Sequence, residues 1–357
     1  MNNDRINRVL AKMEEAHING LLISDYISIK YLTNIFVYPG ERFWALYLSV
    51  DGNHVLFGNK LFVFPDAGIK TVLTDDTDDT MSIVASHIGD EISIGVDKNL
   101  AARFLLPLME KKADCHFEIG SDCVDDVRAQ KDEIEKEKMR KASQINDECI
   151  ELLVKEIKIG MTEKKAAATL VEIYAEHGCK PSFDPIVSFG ANASDPHHMP
   201  DDTPLKDGDC IVIDVGCKYD GYCSDMTRTY FCGEANPKHL DIFNLVKSAN
   251  ELAEAKCKPG MRFSELDAVA RDLIAAAGYG PNFTHRLGHS IGLEVHDKGD
   301  VSAANHAIIK EGMIFSIEPG VYLPGEFGVR IEDLVLVTAD GCEILNHVDK
   351  GVKYIGK

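Results

Sequence analysis

The chain has 357 residues, 45% of them hydrophobic and 27% charged, and a formal net charge of −20 from 38 basic and 58 acidic side chains. That length exceeds what one core usually serves and points to two domains, while the composition excludes a low-complexity or disordered polymer. The acidic excess excludes a sequence-independent grip on nucleic acid, which needs Lys and Arg to displace phosphate counterions.

The first residues, "MNNDRINRVLAKMEEAHING", carry no apolar core behind a basic segment, and nowhere is there a run of about 18 apolar residues. The expectation is a cytoplasmic protein with no membrane partner. Residues 1–127 read as an α/β domain of their own. It has an amphipathic first helix through Leu10 and Met13, an apolar "GLLIS", and two strands, "WALYLSV" and "HVLFGN", joined at the turn signal Asp51-Gly52-Asn53. No cluster of His, Asp, Glu or Cys there has the character of a site, and the only tryptophan, Trp44 in "FWALYL", reads as core.

From Val127 to Lys141 the chain is densely charged, "VRAQKDEIEKEKMRK", while Ile134, Ala142, Ile145, Cys149 and Leu152 keep helical spacing toward one face. This predicts the linker and first helix of a second domain spanning 128–357, its charge run a solvated helix face. The ten cysteines contain no Cys-x-x-Cys pair, and several (Cys210, Cys217, Cys223, Cys232) fall inside strand-like segments, so they read as reduced structural thiols.

The second domain carries an internal repeat. "KIGMTEKKAAATLVEIYAEHGCKPSF" (158–183) recurs 100 residues later as "KPGMRFSELDAVARDLIAAAGYGPNF" (258–283), each copy reading as helix end, Gly-Met turn, helix, Gly stop and strand. One duplication of this length suggests two pseudo-symmetric αβ halves rather than a solenoid. The correspondence continues: "KDGDCIVIDVG" (206–216) aligns with "KEGMIFSIEPG" (310–320), setting Asp214 opposite Glu318, and each is followed by an apolar strand with its own embedded acid, Asp225 or Glu332.

In the first hairpin, "IVIDVGCKYDGYCSDMTRTY" (211–230), a turn at Tyr219-Asp220 would set Asp214 directly across from Asp225, and one at Asp220-Gly221 would leave them diagonal. Both registers put the two carboxylates on one face. Converging carboxylates in an apolar hairpin require a positive partner. "HRLGHSIGLEVHD" (285–297) adds His285, His289 and His296. Four carboxylates and an imidazole make a hard, oxygen-rich donor set that suits Mn²⁺, with Co²⁺, Zn²⁺ and Fe²⁺ as other candidates. Five ligands with bridging carboxylates suit two metal ions about 3.5–4 Å apart, an arrangement that activates water for hydrolysis.

The ordered set Asp214, Asp225, "HRLGHSIGLEVHD", "EPG" and "VRIED" behind a separate N-terminal α/β domain resembles the pita-bread metallopeptidases, in their Xaa-Pro aminopeptidase and prolidase branch, over essentially the whole chain. The resemblance implies a creatinase-like N-terminal α/β domain followed by a pita-bread catalytic domain. It makes Asp214, Asp225, His289, Glu318 and Glu332 the dinuclear metal ligands, with Asp225 and Glu332 bridging. In that family a metal-bridging hydroxide attacks the scissile carbonyl; Glu318 would handle its proton, His198 of "ASDPHHMP" would sit near the leaving group, and His296 would stabilise the tetrahedral intermediate. Arg330 would orient a metal-binding carboxylate, and His197 and His285 would line the substrate or act structurally. Leu334, where relatives often carry a polar residue, and Ser290, where Gly is frequent, are departures that touch no presumed ligand.

An Xaa-Pro bond ends in a tertiary amide nitrogen, so cleavage needs a proton delivered there and a pocket for the ring. The expected activity is metal-dependent release of the N-terminal residue from short proline-containing peptides by an aminopeptidase, with a dipeptidase as near equal. A dipeptidase must bind the free carboxylate after proline, and no single Arg or Lys in the sequence announces that role. A homodimer is expected. A non-catalytic pita-bread binding module is disfavoured because no ligand is lost, and a creatinase-like amidinohydrolase because it would not use this metal set.

Overall fold

The computed structural model describes residues 1–90 and 92–356, and the chain divides into two compact units, Met1–Arg128 and the remainder from Ala129. In the first unit, six strands form one mixed sheet in the spatial order Lys70–Thr74, Val55–Asn59, Ala45–Ser49, Gly20–Ile23, Ser93–Val96, His116–Ile119. Ala45–Ser49 and Val55–Asn59 pair antiparallel around a turn in which Gly52 takes φ +81°, a conformation that glycine adopts without a Cβ penalty. The first helix, Asn3–Glu15, buries Ile6, Val9 and Met13, so its apolar face runs through Ile6 and Val9 where the sequence suggested Leu10. Trp44 is buried against Phe62 and Phe64 in edge-on contacts, the core role its surroundings in the sequence indicate.

The second unit repeats one plan twice. Helices Glu133–Glu156 and Glu163–Glu176 precede the first set of strands, and helices Pro237–Lys256 and Phe263–Ala276 precede the second. The inner helix of each pair spans equivalent positions 100 residues apart. The glycines that bracket it, Gly160 with Gly178 and Gly260 with Gly278, all have positive φ, as helix entry and αL stop require. Asp132 closes a capping box with Glu135 at the start of the first helix. That helix buries Ala142, Ile145 and Cys149, whereas Ile134 and Leu152 are exposed. Its buried stripe runs instead through Glu135, Met139, Ala142, Asn146, Cys149 and Leu153, and Ile134 and Leu152 flank it.

Each half wraps its own apolar cluster. Ile145, Leu153, Leu170 and Tyr174 pack on Ile211, Ile213 and Val215; Val246, Leu266 and Ile274 pack with Phe315, Ile317 and Val335. Side chains alternate along a strand, so the opposite face of Cys210–Val215 turns toward the second half, and Cys210 and Val212 belong to that cluster. Asp214 lies on this same face, at the seam. A buried asparagine from the outer helix grips the ligand-bearing segment in each half: Asn146 Nδ2 donates to Val215 O (3.0 Å) and Asn250 Nδ2 to Ile317 O (2.8 Å).

Among the described residues no disulfide forms and most cysteines are buried, and no helix is long and apolar enough to cross a membrane.

Candidate metal centre

The strand pair that carries the first two acids is in register with Asp214 opposite Thr227, and the turn falls at Asp220-Gly221, both with positive φ. Of the two registers open in the sequence this is the diagonal one, with Asp225 two residues before the partner of Asp214. In the second half Ile317 pairs with Asp333, so the next residues outward, Glu318 and Glu332, face each other where the ladder ends. The halves meet through Glu332 N, which donates to Thr227 O (3.1 Å). Thr227 Oγ1 donates to Glu332 Oε2 (2.6 Å).

His289 reaches the same point from a short strand beside Ile314–Ile317. A Cβ on Gly288 would lie 1.9 Å from Ser316 O, so only glycine permits this approach, and His289 N then donates to Ser316 Oγ (3.0 Å). Its Nδ1–H donates to Ser290 O (3.3 Å), which leaves the Nε2 lone pair facing Asp225 Oδ2 at 3.5 Å and Glu318 Oε1 at 3.6 Å. Burial, and then His296, pushes the His289 pKa down to about 3, so the ring is neutral. A lone pair aimed at two acceptors is repulsive unless a cation or proton lies between them.

The carboxylates express the same deficit. Burial first, then Glu332, holds the Asp225 carboxyl well above the ordinary range; burial and then Glu318 do so for Glu332; burial raises Glu318 to about 7 against the opposing pull of Arg330. Asp214 Oδ1 and Asp225 Oδ1 are buried with no hydrogen-bond partner. Ligating atoms of Asp225, His289 and Glu332 all lie within 4.8 Å of one another. Two unfilled carboxylate oxygens, an inward lone pair and four clustered acids fit divalent cations and poorly fit an empty polar pocket.

Arg330, 3% exposed, is the guanidinium bound to this cluster. It donates from Nη2 to Asp214 Oδ2 (2.6 Å), from Nε to Thr227 Oγ1 (3.1 Å) and from Nη1 to the Tyr322 hydroxyl (2.7 Å). Tyr322 in turn donates to His285 Nε2 (3.0 Å), whose Nδ1–H donates to Arg286 O (2.7 Å). Burial, with Arg330 second, lowers His285 to about 3, consistent with an acceptor Nε2.

A cavity of about 360 Å³ opens onto the cluster, and Asp214, Asp225, His289, Glu318, Glu332 and Arg330 all reach its wall, joined by His285 and His296. His296 stands edge-on to His289 with ring centroids 4.3 Å apart. His197 lines the cavity, one of the two roles expected of it, whereas His198, expected near the leaving group, bonds through Nε2 to Glu163 Oε2 at 2.8 Å. The loop leaves Glu163 beneath it as the acceptor for the second imidazole, and His198 is not among the residues that line the cavity. Ser290 and Leu334 are buried and neither lines the cavity.

The sequence reading also missed Arg286, an exposed residue on the cavity wall whose guanidinium meets no acceptor among the described residues. The only signal for it was its place three residues before His289, which by itself does not fix where the side chain goes.

A two-half pita-bread fold around buried carboxylates and a neutral histidine is the architecture of a metal-dependent hydrolase. Residues 137–339 match the model of metallopeptidase family M24 and residues 5–130 that of the creatinase/prolidase N-terminal domain. The chain therefore belongs to metallopeptidase family M24. It is 34% identical to an uncharacterised peptidase of Staphylococcus aureus, over 97% of this chain and 99% of that one. Among solved structures it is similar to the prolidase of Thermococcus sibiricus (TM-score 0.91, 30% identity, 99% of each chain) and to the X-Pro aminopeptidase of Thermotoga maritima (TM-score 0.82, 30% identity, 96% of this chain and 100% of that one).

Proposed function

We propose that this metallopeptidase is an Xaa-Pro dipeptidase whose Asp214, Asp225, His289, Glu318 and Glu332 would hold two divalent ions, Mn²⁺ foremost. The observation that carries the dipeptidase reading is Arg286, an unpartnered guanidinium on the cavity wall and thus a ready site for the free carboxylate that follows proline. An aminopeptidase would keep that end open for a continuing chain and would leave Arg286 idle. The higher TM-score against a prolidase than against an X-Pro aminopeptidase leans the same way.

Divalent ions supply an activated water and a polarised carbonyl. The chain's own groups do the rest. Glu318, on the cavity wall beside the other acids, is the carboxylate to take a proton from the attacking water. His197, on the wall in the place expected of His198, is the group to return a proton to the proline nitrogen, which has none of its own. His296 faces the same space and donates to the carbonyl oxygen as charge develops there. Arg330 holds Asp214 by one short bond and keeps that carboxylate turned toward the centre.

The test is hydrolysis of an Xaa-Pro dipeptide and an Xaa-Pro-Xaa tripeptide side by side by Mn²⁺-loaded protein. The dipeptidase reading requires a clear preference for the dipeptide. Preference for the tripeptide would return the aminopeptidase, and binding of both without cleavage would return a binding module.

A further inference from the structure

The loop that presents His197 runs between the strands Ile186–Phe189 and Cys210–Val215, and its inner surface closes on one side chain from outside the cavity. Glu163, the first residue of the helix Glu163–Glu176, is fully buried. Its Oε1 accepts from Phe189 N (2.7 Å) and Asn192 Nδ2 (3.0 Å), and its Oε2 from His198 Nε2 (2.8 Å) and Asp201 N (3.1 Å). The helix start returns the grip: Glu163 N donates to Thr203 O and Lys164 N to Asp201 O. One carboxylate thus fixes the loop before, beside and after His197. The ligating atoms of Glu163, His198 and Asp201 lie close enough together to suggest a cation site. Four N–H donors already fill both Glu163 oxygens, however, and a cation there would have to displace the bonds that shape the loop.

Resting on the dipeptidase reading, we propose that Glu163 is a positioning residue for the reaction, acting through His198 and the loop backbone to set the His197 imidazole at the cavity. Pro196, the residue before His197, supports this from the other side, its carbonyl accepting from Arg330 Nη1 (3.4 Å). The loop is therefore clamped between Glu163 and the arginine that holds Asp214. A His197 ring displaced by a fraction of an ångström loses alignment with the leaving nitrogen while substrate binding, set by the metals and Arg286, is kept.

Glu163→Gln presents an amide N–H₂ to donors that now meet an oxygen, and His198→Ala removes one donor while leaving the buried hub in place. In the Mn²⁺-loaded full chain, Glu163→Gln should lower kcat on the order of 10-fold or more, and His198→Ala several-fold, with KM and bound metal nearly unchanged. In a His197→Ala background neither substitution should lower the residual kcat further, because both act through that ring. In metal-free protein labelled at histidine, the His197 ring resonance should shift in both variants. An equal loss in both backgrounds, a loss confined to KM or metal content, or a folded His198→Ala with unchanged kcat and unshifted His197 would overturn the proposal even if Glu163→Gln does not fold. If the unsubstituted protein cleaves no Xaa-Pro dipeptide, the dipeptidase reading fails first and this inference falls with it.

Discussion

Replacing Arg330 by methionine is the sharpest probe of how the centre is balanced. The guanidinium is buried and makes four bonds, to Asp214 Oδ2, the Tyr322 hydroxyl, Thr227 Oγ1 and Pro196 O. Asp214 Oδ1 is buried and already lacks a partner, so the substitution leaves both oxygens of a carboxylate that is only 14% exposed without a donor. Breaking a buried ion pair from one side costs about 3–5 kcal/mol, and for a unit of this size each kcal/mol moves the midpoint by about 2–4 °C. The metal-free Arg330→Met protein should therefore melt about 6–20 °C below the unsubstituted one. Cations at the centre restore positive charge beside Asp214, so saturating Mn²⁺ should cut that difference by half or more. Circular dichroism melts in chelator and in Mn²⁺ supply both numbers. A shift under about 2 °C in chelator, or one of equal size with and without metal, would refute the view that Arg330 and the ions neutralise the same acids.

Two other outcomes follow from named groups. Arg286→Gln should raise KM for an Xaa-Pro dipeptide about 10-fold, the low end for a charge-assisted bond because the side chain is exposed, and leave tripeptide kinetics nearly unaltered; equal effects on both would remove Arg286 from carboxylate recognition. Metal binding should release protons and tighten from pH 6.5 to 8. Glu318 at about 7 and the higher-lying Asp225 and Glu332 must ionise, whereas His289 at about 3 is already neutral. In the metal-free fold these raised carboxyls contribute stability below about pH 4 that is lost as pH rises through their folded values, so the melting gain from Mn²⁺ should be larger at pH 8 than at pH 6.5. Calorimetry in two buffers of different ionisation enthalpy reads the proton count, and a count of zero at pH 6.5 would contradict the raised carboxyls.

Most of the architecture was legible because duplication and periodicity are properties of sequence. The repeat at 100 residues predicted two αβ halves, and the inner helices and their αL glycines fall at equivalent positions. The acids were legible as violations of an apolar pattern, and the hairpin geometry limited them to one face before the register was known. What could not be read was the direction of individual side chains where no periodicity governs them. His197 and His198 are adjacent and identical, and which one meets the cavity is decided by Glu163, 35 residues earlier. The direction of His285 is likewise set by the Tyr322 hydroxyl, 37 residues further along the chain. The exposure of Ile134 and Leu152 shows the same limit in a helix, since apolar spacing marks the stripe but not how far it extends around the helix.

The most direct measurement is turnover of an Xaa-Pro dipeptide by chelator-stripped protein titrated with Mn²⁺, with bound metal quantified in the same samples. Activity absent at the start and saturating at two equivalents of bound metal per chain is the predicted result. Turnover indifferent to metal removal, or two bound ions with no cleavage of the dipeptide, would contradict it.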